Sequence, residues 1–480
     1  MTEQPPIRIA VIGSGPAGFY AAGHLLKDST GRVEVDMLER LPTPWGLVRS
    51  GVAPDHPKIK SVTRIYEKTA EHPRFRFFGN VNFGEHVARE DLLAHFHAIV
   101  YATGSPVDRP LGIAGEDLPG SHPATDFVGW YNGHPDHTDL EVDLESAERA
   151  VVIGNGNVAL DVARMLCLTH AELAATDIAD HALEVLEHSR VSEIVVVGRR
   201  GPAQAAFTNP ELLELGELSD ADVIVDEDEL ERALSVSDPA SEASATSRRN
   251  VEILRSYAAR KPAGHRKRVH LRFLLSPVAL MAGANGRLEA VELVRNELQD
   301  DGKGKLRAVA TAEHETIPAG LLFRAIGYRG IPLPGVPFDE RGGIIPSSGG
   351  RVTDPESGEP LPGEYVVGWI KRGPSGVIGT NKKDAQQTVD AIFADLLTDG
   401  DGRSSPSSAS GDRDAVEELL RARQPALVSY EGWTEIDSHE RALGESTGRP
   451  RVKVTTIEEM LHIAAAEDPR SEQRDEVESG

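Results

Sequence analysis

The sequence predicts an α/β fold of two parallel-sheet units, one inserted into the other, with a helical segment after them. Three observations predict it. Strand–Gly-rich turn–helix blocks stand at 7–28 and again at 149–200. Short apolar strands at 321–327 and 365–369 follow the second block and return the chain to the first unit. A Gly-, Ser- and Asp-rich run, 398–413, reads as a flexible linker and sets off the remainder, 414–480.

In the first block, Ile7-Arg8-Ile9-Ala10-Val11-Ile12 reads as a buried strand. Gly13-Ser14-Gly15-Pro16-Ala17-Gly18 then turns into a helix, with Pro16 in the first helical turn, where its missing N–H costs nothing. Gly13 allows the tight turn, Gly15 lets backbone approach a pyrophosphate, and Gly18 allows close helix–strand packing. The helix N-terminus supplies partial positive charge. Val33 to Glu39 is the second strand. Glu39 stands 26 residues after Gly13, where an acid accepts hydrogen bonds from a free adenosine ribose. A Pro- and Gly-rich loop covers 46–60, a helix follows to about Glu71, and strands are expected at Arg74–Phe78 and Ala98–Ala102.

The second block repeats the pattern with a different reader. Ala150-Val151-Val152-Ile153 leads into Gly154-Asn155-Gly156-Asn157-Val158-Ala159, with Ala159 where a third glycine could stand. Asn155 either holds a pyrophosphate or tolerates a left-handed backbone. After Ile194-Val195-Val196-Val197-Gly198 come Arg199 and Arg200, which suit a 2′-phosphate. The plain alternative is a solvated surface pair. The first site is therefore expected to take FAD or NAD and the second NADP. These are two Rossmann-like, three-layer dinucleotide-binding units.

The rest of the chain is read around these blocks. Thr169–Arg190 is a helical insertion, and 217–250 is an acidic, Ser-rich excursion, partly helical and partly mobile. Val269–Phe273 and Leu288–Leu293 alternate like strands of a small antiparallel sheet. Tyr365–Trp369 is a strand, and a helix runs from about Asn381 to Leu397. The expected domains are 1–108 with 325–397 as a discontinuous FAD domain, 109–324 as the inserted NADP domain, and 414–480 as a helical extension with a disordered end.

Composition removes several classes of function. The formal charge of −25 argues against nucleic acid, which needs a basic face. No apolar run approaches the roughly 20 residues of a membrane helix. The N-terminal residues match neither a secretory signal nor an Arg-rich transit peptide, so a cytoplasmic protein is expected. Cys167 is the only cysteine, which excludes a redox-active disulfide and a Cys-ligated iron–sulfur cluster within the chain. Its place in Val162–Leu168 is the apolar side of a helix, so it is expected to be buried and structural. No metal site is expected.

Longer strings are more specific. Gly13-Ser14-Gly15-Pro16, Leu41-Pro42-Thr43-Pro44-Trp45-Gly46-Leu47-Val48-Arg49, Gly51-Val52-Ala53-Pro54-Asp55-His56 and Gly154-Asn155-Gly156-Asn157-Val158-Ala159-Leu160-Asp161 resemble ferredoxin–NADP reductases of the adrenodoxin reductase type. So do Val197-Gly198-Arg199-Arg200-Gly201 and the run from Trp369 to Asn381. The resemblance covers about 7–397, and Gly448-Arg449-Pro450-Arg451-Val452 is similar to actinobacterial members.

This resemblance implies FAD held by Ala17, Glu39, Leu47, the Val81–Asn82 strand, Trp369 and Gly376-Val377-Ile378, beside Gly13, Gly15 and Gly18. It implies NADP held by Arg109, Asn155, Gly156, Asn157, Val158, Arg199, Arg200, Glu211 and Gly376. It also links positions matching His56 and Glu211 to hydride transfer. Read without the resemblance, His56 is a loop histidine and Glu211 a first-turn helix acid. The activity implied is hydride transfer from NADPH to FAD, then single electrons to a ferredoxin-type iron–sulfur protein. Alternatives are an NADPH diaphorase or quinone reductase, a flavin monooxygenase, and a non-enzymatic nucleotide sensor. A monomer is expected. The densest basic stretch, Arg255 to Arg268, is a candidate ferredoxin-docking surface, and a solvated loop is its alternative.

Overall fold

The computed structural model describes residues 5–235, 244–302, 306–397 and 413–465. It divides into two compact units. One comprises 1–52, 56–107 and 328–480, and the other 53–55 and 108–327. The linker expected at 398–413, all but Arg413, and the terminal segment 466–480 lie outside the described residues. Among the described residues, no helix is long and apolar enough to cross a membrane.

The first unit is built on a seven-stranded sheet in the order Ser347–Ser348, Arg351–Thr353, Pro360–Val366, Ala98–Tyr101, Ile7–Ile12, Val33–Leu38, Phe75–Phe78. The five strands from Pro360–Val366 to Phe75–Phe78 pair in parallel. The Ile7–Ile12 strand is buried at every position, as a central strand covered on both faces should be. Ile9 and Val11 face a layer holding Phe19 and Ala22 of the Pro16–Leu25 helix and Val389 and Ile392 of the Thr380–Leu396 helix. Ala10 and Ile12 face the opposite layer, with Phe96, Leu92 and Ile370. Short helices at Leu47–Ser50 and Pro57–Lys60 interrupt the expected 46–60 loop, and Thr63–Ala70 is the helix after it. Trp369 opens a short helix, Trp369–Arg372, instead of ending a strand, and Val81–Asn82 lies beyond the Phe75–Phe78 strand.

The segment after 413 is part of this unit. Val416 and Leu420 of the Arg413–Arg423 helix enter one core layer; Trp433 and Ile436 of the Tyr430–Thr447 helix and Met460 enter the other. Val428 exchanges both backbone hydrogen bonds with Gly79, at 2.7 and 3.0 Å. The extension therefore fills both faces of the sheet.

The second unit has a six-stranded parallel sheet in the order Ser121–Pro123, Leu321–Arg324, Arg149–Ile153, Glu193–Gly198, Lys267–Phe273, Ala221–Ile224. On one face lie the Asn157–Cys167 helix and its neighbours, with Leu160, Ala163 and Leu166 buried. On the other lies an antiparallel three-stranded sheet, Leu275–Ala282, Leu288–Asp300 and Leu306–Pro318, whose Leu275, Val291 and Leu293 meet Val151, Ile153 and Val197.

One expectation is corrected here, and one is extended. Val269–Phe273 belongs to the parallel sheet, and only Leu288–Leu293 to the antiparallel one. The acidic 217–250 stretch supplies the edge strand Ala221–Ile224 and the helices Glu227–Ser235 and Ala245–Ala258, which bury Leu230, Leu234, Ile253 and Leu254. The interior of that stretch, 236–243, lies outside the described residues.

Candidate functional site

In the first unit, four backbone segments converge on the N-terminus of the Pro16–Leu25 helix. Gly13 has φ +102, and a Cβ there would fall 2.8 Å from the Ala102 carbonyl oxygen at the end of the neighbouring strand. Gly46 has φ +49, and its Cβ would lie 2.9 Å from Gly15 Cα, so the loop carrying Leu47 rests on the turn. Gly368, at φ +77, meets Ala17, where a Cβ would come within 2.5 Å of the alanine methyl. Beside Gly15 and Gly104, by contrast, a Cβ would meet nothing within 4 Å, leaving bare backbone facing open space. This suits a pyrophosphate, which needs close approach to amide groups.

Glu39 reaches this turn. Its Oε2 accepts from the Ser14 N–H at 2.9 Å and the Ser14 hydroxyl at 2.7 Å. Its Oε1 accepts from the Leu41 N–H at 3.1 Å. The carboxylate is thus fixed at the strand end while half-buried. Ser14 was not singled out from the sequence, although a hydroxyl in the second position of the turn was its signal.

The Gly368 to Asn381 loop is pinned from one side. Asp384 accepts from the Gly368 N–H at 2.6 Å and from Lys371 Nζ at 2.9 Å. Arg372 donates to Asn381 Oδ1 at 2.7 Å and to the Ser375 carbonyl. Its guanidinium is held below its ordinary pKa by burial. Gly376 takes φ +81, and Val377 is 56% exposed. Among the described residues, the buried Trp369 Nε1, Thr103 Oγ1 and Ser105 Oγ have no hydrogen-bond partner. An open glycine turn, an apolar side chain held out to solvent and unsatisfied buried donors fit the polar and flat parts of FAD. Asn82 is more committed than expected: its N–H donates to His86 Nδ1 at 3.0 Å, and its carbonyl accepts from the Glu85 and His86 amides. His56 is buried at the start of the Pro57–Lys60 helix.

The second unit repeats the cradle. Gly154 has φ +140, and a Cβ there would lie 2.2 Å from the Ala325 carbonyl oxygen, whereas Gly156 faces open space. Asn157 begins the following helix, and its Oδ1 accepts from the Thr208 N–H at 2.8 Å. The Asn155 carbonyl accepts from the amides of Ala206 and Phe207, while its buried Nδ2 has no partner among the described residues. Asn155 and Gly156 thus form the turn, and Asn157 and Val158 open the helix that follows it. Arg199 is exposed and Arg200 half-buried at the end of the Glu193–Gly198 strand. Among the described residues neither makes an ion pair. Burial, and then the Arg199 charge, push the Arg200 guanidinium below its ordinary pKa. Arg109 is exposed, with its N–H donating to the Gly327 carbonyl at 3.0 Å.

Glu211 is 7% exposed on the Asn209–Leu215 helix. Its carboxylate lies 3.2 Å from Arg164 Nη1. That arginine, 2% exposed, also meets both oxygens of Asp55 at 2.6 Å, Glu214 at 3.3 Å and Asp161 at 3.5 Å. Four carboxylates around one guanidinium leave an excess of negative charge. Burial holds the Asp161 carboxyl well above the usual carboxylate range, with Arg164 opposing. Of this network the sequence reading had singled out Glu211 alone. Gly376, expected at both nucleotide sites, belongs to the first unit.

Three arginines of the basic 255–268 stretch are paired, while Arg260 and Lys261 are exposed. Arg255 pairs with Glu231 at 2.8 Å, Arg266 with Asp220 at 3.0 Å, and Arg268 with Glu193. Lys267 is buried, with Nζ donating to the Leu166 carbonyl at 2.6 Å.

Comparison with known proteins gives a consistent result. Residues 7–196 match the pyridine nucleotide-disulphide oxidoreductase family. With Cys167 as its sole cysteine, the chain contains no internal disulfide. NADPH-ferredoxin reductase FprA of Mycobacterium tuberculosis is 52% identical over 95% of this chain and 99% of its own. A probable ferredoxin/ferredoxin–NADP reductase of the same organism is 48% identical over 97% of this chain and 76% of its own. The mitochondrial NADPH:adrenodoxin oxidoreductase of Arabidopsis thaliana is 40% identical over 96% of each. The solved structure of M. tuberculosis FprA in complex with NADPH aligns with TM-score 0.88 at 51% identity, covering 96% of this chain and 99% of that one. With both Gly-rich turns in place and 40–52% identity over nearly the full length, this chain belongs to the ferredoxin–NADP reductase family of the adrenodoxin reductase type.

Proposed function

We propose that this chain is an FAD-containing ferredoxin–NADP reductase, taking a hydride from NADPH and delivering single electrons to a ferredoxin-type iron–sulfur protein. One observation carries the reading: two nucleotide cradles on one chain with opposite ribose readers. Glu39, fixed by Ser14, accepts from a free ribose, whereas Arg199 and Arg200, without acidic partners among the described residues, suit a 2′-phosphate. Bound FAD would supply a two-electron acceptor that also gives up electrons singly. The chain's own part is to hold and orient it: Gly13, Gly15, Ala17 and Gly18 at the pyrophosphate end, Glu39 at the ribose, and Leu47, Trp369 and Gly376-Val377-Ile378 around the rest. Asn155 to Val158 would hold the NADP pyrophosphate.

His56 and Glu211 belong to the proposal as residues of the hydride-transfer step. Supporting this are the burial of two titratable side chains and the Arg164 ion pair that fixes the Glu211 carboxylate. An iron–sulfur partner is supported by the names of the relatives, one of which, named for both a ferredoxin and a reductase, extends beyond the part this chain matches. A cytoplasmic monomer is part of the same proposal.

The test is anaerobic mixing of the purified yellow protein with NADPH or NADH, followed by addition of ferredoxin and cytochrome c. Bleaching that strongly favours NADPH, with cytochrome reduction that depends on ferredoxin, is the expected result. Bleaching without ferredoxin dependence would leave a diaphorase. A colourless protein that takes up no FAD would end the reading.

A further inference from the structure

The loop that bears Leu47 is strained and is held from far along the chain. Trp45 has φ +83, a left-handed region that strains a bulky residue and persists only where surroundings over-determine it. Its N–H donates to the Ser14 carbonyl at 3.2 Å, and Gly46 abuts Gly15. Its ring stands among Phe19, at 4.7 Å between centroids, Tyr66 at 5.7 Å and Trp433 at 6.2 Å. Trp433 comes from the Tyr430–Thr447 helix, and that helix also supplies Glu440, which is 0% exposed. Glu440 accepts from Arg49 Nη1 at 2.8 Å and Nη2 at 2.5 Å. It further accepts from Arg451 at 2.9 Å and the Val454 N–H at 2.9 Å. Lys453 Nζ donates to the Arg49 carbonyl at 3.1 Å, and the Arg49 guanidinium lies 5.4 Å from the Trp433 ring centre. Both the side chain and the backbone of Arg49 are thus gripped by residues 433–454, two positions from Leu47 and three from Gly46.

We infer that Glu440 is a positioning residue for flavin binding: through Arg49 it fixes the Trp45–Ser50 loop, and with it Leu47, against the Gly13–Gly15 turn. A carboxylate that receives hydrogen bonds from two guanidiniums and a backbone amide is fixed in place, and so fixes whatever it holds. The extension is then a clamp on the cofactor loop. This rests on the reading that the first cradle holds FAD.

The test uses the full chain. Wild type, Glu440→Gln and Arg423→Gln are stripped of flavin, and FAD is titrated back by the quenching of its fluorescence; the visible spectrum and midpoint potential of each holoprotein are recorded. Arg423 also lies in the extension and pairs with Asp91 away from the loop. The expected result is at least tenfold weaker FAD binding and a shifted flavin spectrum for Glu440→Gln, with Arg423→Gln within twofold of wild type. FAD affinity of Glu440→Gln within twofold of wild type, or equal weakening in both variants, would overturn the clamp. Should Glu440→Gln not fold, Lys453→Met, which removes the ammonium from the Arg49 carbonyl, carries the same two outcomes. A wild-type chain that binds no FAD would instead overturn the functional reading beneath it.

Discussion

Replacing Arg199 and Arg200 separately by alanine tests the assignment of the second cradle. Neither guanidinium is ion-paired among the described residues, in contrast to Arg266 and Arg268 at the other end of the same strand pair. Arg200 is also partly desolvated and repelled by Arg199, which destabilises its charged form. A 2′-phosphate would relieve both costs. A charge-assisted hydrogen bond contributes about 1.5–3 kcal/mol, hence roughly 10- to 100-fold in affinity. Arg199 is exposed and screened by salt, so its share falls at the lower end, about tenfold. Arg200 is half-buried and falls toward the upper end. The assay is kcat/KM for NADPH and NADH with ferricyanide as acceptor, at low and high salt. The NADPH/NADH ratio should fall about tenfold for Arg199→Ala and further for Arg200→Ala, with NADH scarcely changed. The double variant should fall short of the product of the two, because both arginines would share one phosphate. Equal losses for the two nucleotides would point to a structural effect and refute the assignment, as would an unchanged ratio.

Arg266→Glu and Arg268→Glu should change the KM for ferredoxin less than twofold at low salt, because each guanidinium is engaged by an acid of its own chain, Asp220 or Glu193; a severalfold rise would support this stretch as the docking face. Cys167 is 1% exposed and burial pushes its thiol up to about 12, so native protein should not react with a thiol-specific disulfide reagent at pH 8, whereas urea-unfolded protein should release one equivalent. Burial pushes the Glu440 carboxyl up, but the Arg49 charge and hydrogen bonds outweigh it and leave the group below its ordinary 4.5. Its stabilisation is therefore fully present above that pH and is lost as pH falls through the folded value. Glu440→Gln should cost about 3–5 kcal/mol in denaturant unfolding at pH 7, with the gap to wild type narrowing below pH 4.5; a gap independent of pH would refute the charge argument.

What could be read from the sequence follows from how local each requirement is. Gly13 at φ +102 and Gly154 at φ +140 sit where a side chain would strike backbone, so residue type alone reports the geometry. The strand from Val269 to Phe273 shows the limit of periodicity. Val269, Leu271 and Phe273 are buried while Arg268 and His270 pair with Glu193 and Arg272 with Glu229, so it alternates as a half-buried strand does. Alternation reports which face is wet, but it carries no information about the direction of the neighbouring strand. In the 217–250 stretch, acidic and serine residues dominate composition, yet Leu230, Ala233 and Leu234 recur at helical spacing and reach the core.

The extension hides its role for a different reason. Glu440 lies in a helix that also contains the exposed or half-exposed Glu431, Glu435 and Glu445, and nothing in its neighbours distinguishes it. Its burial is determined by Arg49, 391 residues away, and by Arg451 and the Val454 amide. A buried carboxylate is tolerated only when all of these are present together, and no window along the chain contains both Glu440 and Arg49. A chain ending at 397 would keep both Gly-rich turns, Glu39 and the two arginines, and would read as the same enzyme. It would also lose Trp433 from the ring cluster around Trp45 and leave Arg49, buried in the full chain, without its carboxylate, next to the loop on which the first cradle depends.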